Sequence, residues 1–158
     1  MQRRAETEIV AALAAAQGLK LLPKAGRVTL TGGVWVEVDA RSEDGSVFVE
    51  AYARQGQLKG AQLKKIGQDV LKLALLKREA DYAETRAIIA FASQDACNSV
   101  RGWLRRAAEA FAVELCVVSI TDELRQQILL AQSRQVMVNI ETTMADVVDD
   151  LEPVAESP

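Results

Sequence analysis

The 158-residue sequence contains no histidine. Without an imidazole, the chain cannot build a Ser-His-Asp or Cys-His nucleophile, a His-based zinc site or histidine-dependent phosphoesterase chemistry. Any catalysis must therefore rest on carboxylates, lysine, tyrosine or a hard metal ion.

Cysteine and long apolar runs are also scarce. The two cysteines, Cys97 and Cys116, show neither a CxxC spacing nor the even-numbered framework of a small secreted fold. We therefore expect a reducing, cytoplasmic setting. The sequence has no run of the ~20 apolar residues that a membrane span needs, and its start reads as an amphipathic helix. We expect a soluble chain with no membrane partner.

Aromatic residues make up only 4% of the chain, whereas 49% of it is hydrophobic. So few aromatic rings cannot form a stacking platform for single-stranded nucleic acid, and Trp35 and Trp103 are expected to anchor the core. The apolar content is sufficient for one domain with a substantial core.

Charge is distributed unevenly along the sequence. Residues 141–158 carry six acids and no basic residue, so residues 1–140 hold 19 basic against 16 acidic residues, a net +3. We predict one domain over 1–140 and an acidic, flexible tail over 141–158. Seven basic residues share the segment 54–78 with a single acid, Asp69. That cluster suits phosphate binding, although a solvated helix face accounts for it equally well.

Hydrophobic periodicity predicts the element order α-β-β-β-α-β-α-β-α. The helices and strands are expected, in chain order, at residues 3–17, 26–30, 34–40, 47–53, 58–82, 85–92, 97–113, 115–120 and 122–135. A hairpin followed by helical crossovers that extend the sheet in parallel gives an α/β sandwich with a mixed central sheet.

The turn at Asp44-Gly45 favours a two-residue hairpin loop and so fixes a register. Counting outward from it sets Asp39 opposite Glu50, and Glu37 opposite Tyr52. Like charges directly opposed on a sheet are unfavourable, so a cation should neutralise them. Mg²⁺ or Mn²⁺ fits best, because the chain offers oxygen ligands and no imidazole. The alternative is that these acids only confer solubility.

The following helix places polar residues along one edge of its apolar stripe. They lie three and four residues apart and so share a line: Gln62, Lys65, Asp69 and Lys72. This edge would bring Gln62 and a lysine to the sheet face that carries the acids. Two carboxylates, a metal ion and a lysine can hydrolyse a phosphodiester.

These features resemble the PD-(D/E)XK nuclease-like superfamily of the restriction-endonuclease fold. The residues that carry the resemblance are Asp39 in VEVD, Glu50 in VFVEAY and the helix that opens KGAQLKKIGQDVLKL, within residues 3–135. The resemblance implies Mg²⁺-dependent or Mn²⁺-dependent cleavage of DNA, with Asp39 and Glu50 as metal ligands and Gln62 assisting. DNA would approach through the basic segment 54–78.

Two departures leave the activity open. Tyr52 stands where the family has its lysine, two residues after the glutamate, and no proline precedes Asp39. Either the lysine is supplied by the helix, with Lys65 the best candidate and Lys59 and Lys64 weaker ones, or Tyr52 marks a degenerate site that binds protein or nucleic acid without catalysis. Tyr52 could also simply pack in the core, with its hydroxyl reaching Glu37. The sequence leaves a homodimer open.

Overall fold

The computed structural model describes residues 2–149, without the side chains of 23–25 and 144–149. The elements are α1 (Gln2–Gln17), β1 (Leu21–Thr29), β2 (Trp35–Ser42), β3 (Val47–Tyr52), α2 (Ala61–Leu76), a 3-10 turn (Ala80–Tyr82), β4 (Arg86–Phe91), α3 (Gln94–Ser99), α4 (Gly102–Ala110), β5 (Val113–Val117) and α5 (Asp122–Asp149). None of the helices within 2–149 combines the length and apolarity needed to cross a bilayer.

One mixed sheet organises the fold, with its strands in the order β1-β2-β3-β4-β5. The first three strands pair antiparallel, and β3, β4 and β5 pair parallel. The α/β class and the mixed sheet are thus confirmed. β3 is the middle strand, so both of its edges are paired.

Each face of the sheet packs against its own set of helices. Phe48, Ile89 and Phe91 pack with residues of α2, α3 and α4 on one face. Val49 and Ile88 pack with α1 on the other. Because side chains alternate along a strand, β3 directs Phe48, Glu50 and Tyr52 toward the α2 side and its other residues toward α1.

The β2–β3 hairpin has the predicted register but a longer loop. Ala40 pairs with Val49 and Arg41 with Phe48, which is the register counted from Asp44-Gly45. The loop comprises residues 43–46 rather than two residues, and the side chain of Ser42 accepts the backbone N–H of Val47 at 2.9 Å.

Side-chain alternation fails along β2. Val38 packs in the cluster on the α2 side, whereas Ala40, two residues further on, packs on the α1 side. The pairing between β1 and β2 also shifts between Pro23 and Gly26. A bulge of this kind bends the strand, so the start of the sheet curls at Asp39. β1 begins at Leu21, ahead of the predicted position.

The predicted helix over 97–113 is two helices. Val100 and Arg101 between them have extended backbone conformations. The guanidinium of Arg105 donates to the carbonyls of Val100 (2.8 Å) and Cys97 (3.1 Å), and these bonds satisfy the carbonyls at the end of α3. The strand that follows is β5, a partly exposed strand with one neighbour, and not the doubly buried strand that the apolar run predicted.

α5 extends beyond the predicted end at Gln135 and continues to Asp149. The rest of the predicted acidic tail, residues 150–158, lies outside the described residues. Both tryptophans are exposed rather than buried in the core, Trp35 by 48% and Trp103 by 80%. The guanidinium of Arg27 stacks over the Trp35 ring at 3.9 Å, so this ring has a cationic cover in place of core packing.

Candidate functional site

Glu50 is a buried acid in the central strand. It lies between Phe48 and Tyr52 on the α2 side of β3, and its side chain is only 5% exposed. Burial raises the pKa of Glu50 to about 8, and the nearby charge of Asp39 adds to this increase. An acid of this kind is stable only when it holds a proton or gains a compensating cation.

Asp39 is held beside Glu50 by the backbone of β3. The Cα pairs of the β2–β3 ladder end at Ala40 and Val49, and beyond them Asp39 Oδ2 accepts the backbone N–H of Ala51 at 2.8 Å. A side-chain carboxylate thus replaces a ladder carbonyl at the point where the strands separate. This bond fixes a half-buried carboxylate next to Glu50.

The polar edge of α2 supplies the positive charges. Asp69, which is 3% exposed, accepts hydrogen bonds from Lys65 Nζ at 2.7 and 2.8 Å. Lys72 Nζ lies 3.4 Å from Asp69 Oδ1 and also contacts Glu50 Oε1. Basic and acidic side chains therefore alternate from Lys65 through Asp69 and Lys72 to Glu50.

The Lys72 ammonium is in close contact with the Glu50 carboxyl, whose raised pKa favours the protonated form at neutral pH. Glu50 Oε1 is shielded from solvent and has no partner of hydrogen-bond geometry within the described residues, although the ammonium lies against it. The Nε atom of Arg54 is likewise shielded from solvent and has no hydrogen-bond partner within the described residues. Buried polar atoms are normally satisfied. Arg54 Nε therefore offers a donor to a further ligand, whereas Glu50 Oε1 already has the Lys72 ammonium against it.

A cavity of about 760 Å³ opens over these groups. Strands β1, β2 and β3 and helices α1, α2 and α5 all contribute residues to its lining. The polar lining residues that carry the chemistry are Glu37, Asp39, Glu50, Tyr52, Arg54, Gln62, Lys65 and Lys72. The size is that of a small-ligand site, and the cavity has charges of both signs.

The four residues predicted to be catalytic or metal-binding all line one cavity: Asp39, Glu50, Gln62 and Lys65. Gln62 has a structural task as well, since its Oε1 accepts the backbone N–H of Lys59 at 3.0 Å. That bond satisfies a donor at the start of α2, where Gly60 offers no side-chain cap. The side chain of Lys65 is 52% exposed and is bound to Asp69.

The remaining candidates have weaker links to the cavity. Lys59 and Lys64 are exposed and do not line it. Glu37 lies at its border and pairs with Arg27 at 3.9 Å, with both side chains largely exposed. Asp69 acts through the two lysines that it contacts.

Tyr52 lines the cavity and also packs in the core. Its ring lies 5.8 Å from that of Phe91, and burial raises the pKa of its hydroxyl. Among the described residues, no hydrogen bond joins it to Glu37. The structure therefore agrees with the packing role for Tyr52.

Lys72 and Arg54 line the cavity, although the sequence-based hypothesis gave neither of them a role at the site. Lys72 stands on the predicted edge, seven residues after Lys65 and three after Asp69, so helical spacing could have identified it. Which lysine of an edge reaches the sheet depends on how the helix lies over the strands, and spacing does not report this. Arg54 is the first basic residue of the segment 54–78, and its position two residues after Tyr52 continues the alternation of β3.

Several of the seven basic residues of 54–78 bind the protein itself. Lys65 and Lys72 contact acids of the site, and Lys77 Nζ donates to the carbonyl of Thr85 at 2.8 Å. Lys59, Lys64 and Arg78 remain exposed on the surface. The segment is thus partly an internal charge network rather than an uninterrupted basic face.

The ligand set for a metal ion is small. No three acids, thiols or imidazoles converge within the part of the chain that the structure describes. The carboxylates that line the cavity are Glu6, Glu37, Asp39 and Glu50. The charge of Asp39 adds to the effect of burial in raising the pKa of Glu50, and a divalent ion between these two acids would relieve that repulsion. The donor chemistry therefore fits a hard cation, with Lys72 as the present source of positive charge.

No protein-family model and no curated protein matches the sequence of this chain.

Proposed function

We propose that the chain is a metal-dependent, nuclease-like protein of the restriction-endonuclease fold that hydrolyses phosphodiesters of DNA. The observation that carries this proposal is the buried Glu50 of β3, which shares one cavity with Asp39 and contacts Lys72. A hairpin, a helix that returns over it and a parallel strand place these three residues together.

In this proposal Asp39 and Glu50 hold Mg²⁺ or Mn²⁺, and Lys72 lies closer to the reacting phosphate than Lys65. A bound divalent ion would lower the pKa of a water molecule and neutralise phosphate charge. The ammonium of Lys72 stabilises negative charge that develops on the phosphate oxygens. The amide of Gln62 positions substrate or solvent at the cavity wall, and Arg54 offers an unsatisfied donor to phosphate. The protein acts in the cytoplasm, in keeping with two cysteines that form no disulfide among the described residues.

A thermal-shift assay tests the metal site. We expect millimolar Mn²⁺ or Mg²⁺ to raise the melting temperature of the wild type, because an ion that binds only the folded chain stabilises it. The Glu50→Gln variant should lose this shift, whereas Glu84→Gln, which alters an exposed acid outside the cavity, should retain it. An equal shift in all three proteins would show that the ion binds elsewhere.

Incubation with supercoiled plasmid and with single-stranded DNA in Mn²⁺ tests the chemistry. The Asp39→Asn variant is suited to this test, because its side-chain oxygen can still accept the backbone N–H of Ala51 and so keep the contact between β2 and β3. We expect cleavage by the wild type and loss of cleavage in this variant. Cleavage that persists in Asp39→Asn would contradict the proposed role of Asp39 in the reaction.

A second candidate is a catalytically degenerate module that binds protein or nucleic acid with the same cavity. Tyr52 in the family's lysine position and the contact of Lys72 with Glu50 favour it, since the Lys72 ammonium already lies beside the carboxyl that a metal ion would bind. This candidate predicts no metal-dependent thermal shift and no cleavage. It also predicts DNA or peptide binding that weakens when Lys72 is replaced by methionine.

A further inference from the structure

The second half of α5 extends away from the body of the protein. At the start of the helix, Leu124 and Ile128 are buried against Ala5 of α1, and Gln132 accepts the backbone N–H of Gln55 at 2.8 Å. From 133 to 143 every side chain is exposed. With a rise of about 1.5 Å per residue, the helix beyond Gln132 adds roughly 25 Å.

This projecting segment carries large apolar side chains in water. Leu130, Met137 and Ile140 are 58%, 66% and 53% exposed. Their positions, with Ser133, follow a spacing of three and four residues, and the sequence continues this spacing with Met144 and Val147. An apolar seam with this spacing is the signature of a helix that pairs with another helix in a coiled coil.

The seam faces away from the body of the protein. Ile128 packs against α1, and Gln135, seven residues later on the same side of the helix, lines the cavity. Leu130 and Met137 each follow these residues by two positions, about 200° around the helix. A partner on the seam would therefore leave the cavity side of α5 uncovered.

We propose that α5 from Leu130 onward pairs with the same segment of a second copy of this chain, in antiparallel orientation. The charged residues beside the seam indicate which partner binds there and in which orientation its helix runs. Arg134 and Glu141 occupy equivalent flanking positions, seven residues apart. In an antiparallel pair, Arg134 of one copy faces Glu141 of the other, and twofold symmetry repeats the contact.

A parallel pair would give these charges no partners. Arg134 would then face Leu129 of the second copy, and Glu141 would face Val136, because flanking residues five positions apart meet in that orientation. Self-complementarity under a twofold axis is what a homodimer needs. We therefore assign the seam to a second copy of the chain rather than to an unrelated helix.

Sedimentation velocity of the full-length protein over a wide range of concentrations tests this interface. We expect a wild-type dimer and an Arg134→Glu variant whose dimer dissociates at least about tenfold more readily, because two attractive pairs become repulsive. Glu141→Arg should have the same effect. Both residues are exposed, so thermal unfolding of the two variants at equal protein concentration can verify that the fold is intact.

Two experiments that should restore dimerisation make the test specific to the antiparallel pair. The double variant Arg134→Glu with Glu141→Arg should dimerise like the wild type, and an equimolar mixture of the two single variants should form heterodimers. The proposal would be overturned if the wild type stayed monomeric at every concentration. This includes the case in which residues 150–158 of the same chain cover the seam. Single variants that dimerise as tightly as the wild type would also overturn it.

Discussion

The ammonium of Lys72 in α2 lies against the buried carboxyl of Glu50 in β3. The same ammonium is 3.4 Å from Asp69 Oδ1, so one lysine bridges an acid of its own helix and an acid of the sheet. In the nuclease-like superfamily of the proposed function, a lysine follows the glutamate on the strand. Here Tyr52 holds that strand position, and the positive charge comes from α2.

The stability of the protein should decrease as pH rises toward 8. The pKa of Glu50 is raised from 4.5 to about 8 in the folded chain, so the folded state keeps a proton that the unfolded chain releases. Its stabilising contribution is complete below the unfolded pKa and is lost as pH rises through the folded value. The shift corresponds to roughly 3–5 kcal/mol.

Urea unfolding at a series of pH values, for wild type and Glu50→Gln, measures this contribution. The charged groups facing Glu50 in both proteins are Asp39, Asp69, Lys65 and Lys72, so the difference between the two curves isolates the carboxyl. We expect the variant to lose the decrease between about pH 5 and pH 8. Parallel curves would contradict the raised pKa.

Lys72→Met should impair metal-dependent DNA cleavage far more than Lys65→Met. Lys72 is 23% exposed and contacts Glu50, whereas Lys65 is 52% exposed and is bound to Asp69. We expect a loss of about 100-fold for Lys72→Met, the scale of removing one charge-stabilising donor. Lys65→Met should cost less than that. Single-turnover cleavage assays would measure both.

Lys72→Arg is the control for this comparison, because it keeps the positive charge. Partial activity in this variant would separate the charge from the packing of the side chain. A larger loss from Lys65→Met than from Lys72→Met would restore Lys65 as the lysine of the site. Circular dichroism of each variant should show the wild-type helix content.

Gly45→Ala should destabilise the β2–β3 hairpin more than Gly33→Ala destabilises its turn. Gly45 has φ 70°, and a Cβ there would lie 3.0 Å from Cε1 of Tyr82, whose ring packs edge-on against Phe48 at 5.0 Å. Gly33 has φ 80° with nothing within 4 Å of the added carbon. Both variants share a backbone cost of about 1–3 kcal/mol, so thermal unfolding should report the Tyr82 contact as the excess. Equal losses would contradict it.

Alternation and turn chemistry were sufficient to predict the centre of the sheet. Val47, Val49 and Ala51 pack in one core cluster and Phe48 and Tyr52 in the other, as strand alternation predicts. The predicted register of the hairpin is confirmed although its loop is longer than predicted. Ala40 pairs with Val49, as it would if Asp44-Gly45 were the loop. Local sequence determines these features.

The sequence-based predictions fail where contacts between residues far apart in the chain, or the way one element lies over another, determine the structure. Helix periodicity could not reveal the break at Val100, which depends on bonds from Arg105 to the end of α3. In the same way, spacing placed Lys65 and Lys72 on one edge but could not show which of them reaches Glu50. Trp103 was assigned to the core by residue type, yet it is 80% exposed because only Leu104 and Ala108 of α4 turn inward.

Asp69→Asn should lower the pKa of Glu50 below about 8. The charge of Asp69 contributes to raising that pKa, so a neutral amide removes an unfavourable interaction with ionised Glu50. The amide also releases Lys72 from its second acid, which leaves the ammonium to Glu50 alone. Both effects favour the ionised carboxyl, so their signs agree.

Titration of the Glu50 side-chain carboxyl by carbon NMR measures this shift directly. Asp81→Asn is the matched control, since it removes an exposed acid that does not line the cavity. We expect the midpoint to move down in Asp69→Asn and to stay in place in Asp81→Asn. An unchanged or higher midpoint in Asp69→Asn would mean that Lys72 leaves Glu50 once Asp69 no longer holds it. The stabilising role of the network would then be to position the lysine rather than to set the charge of the acid.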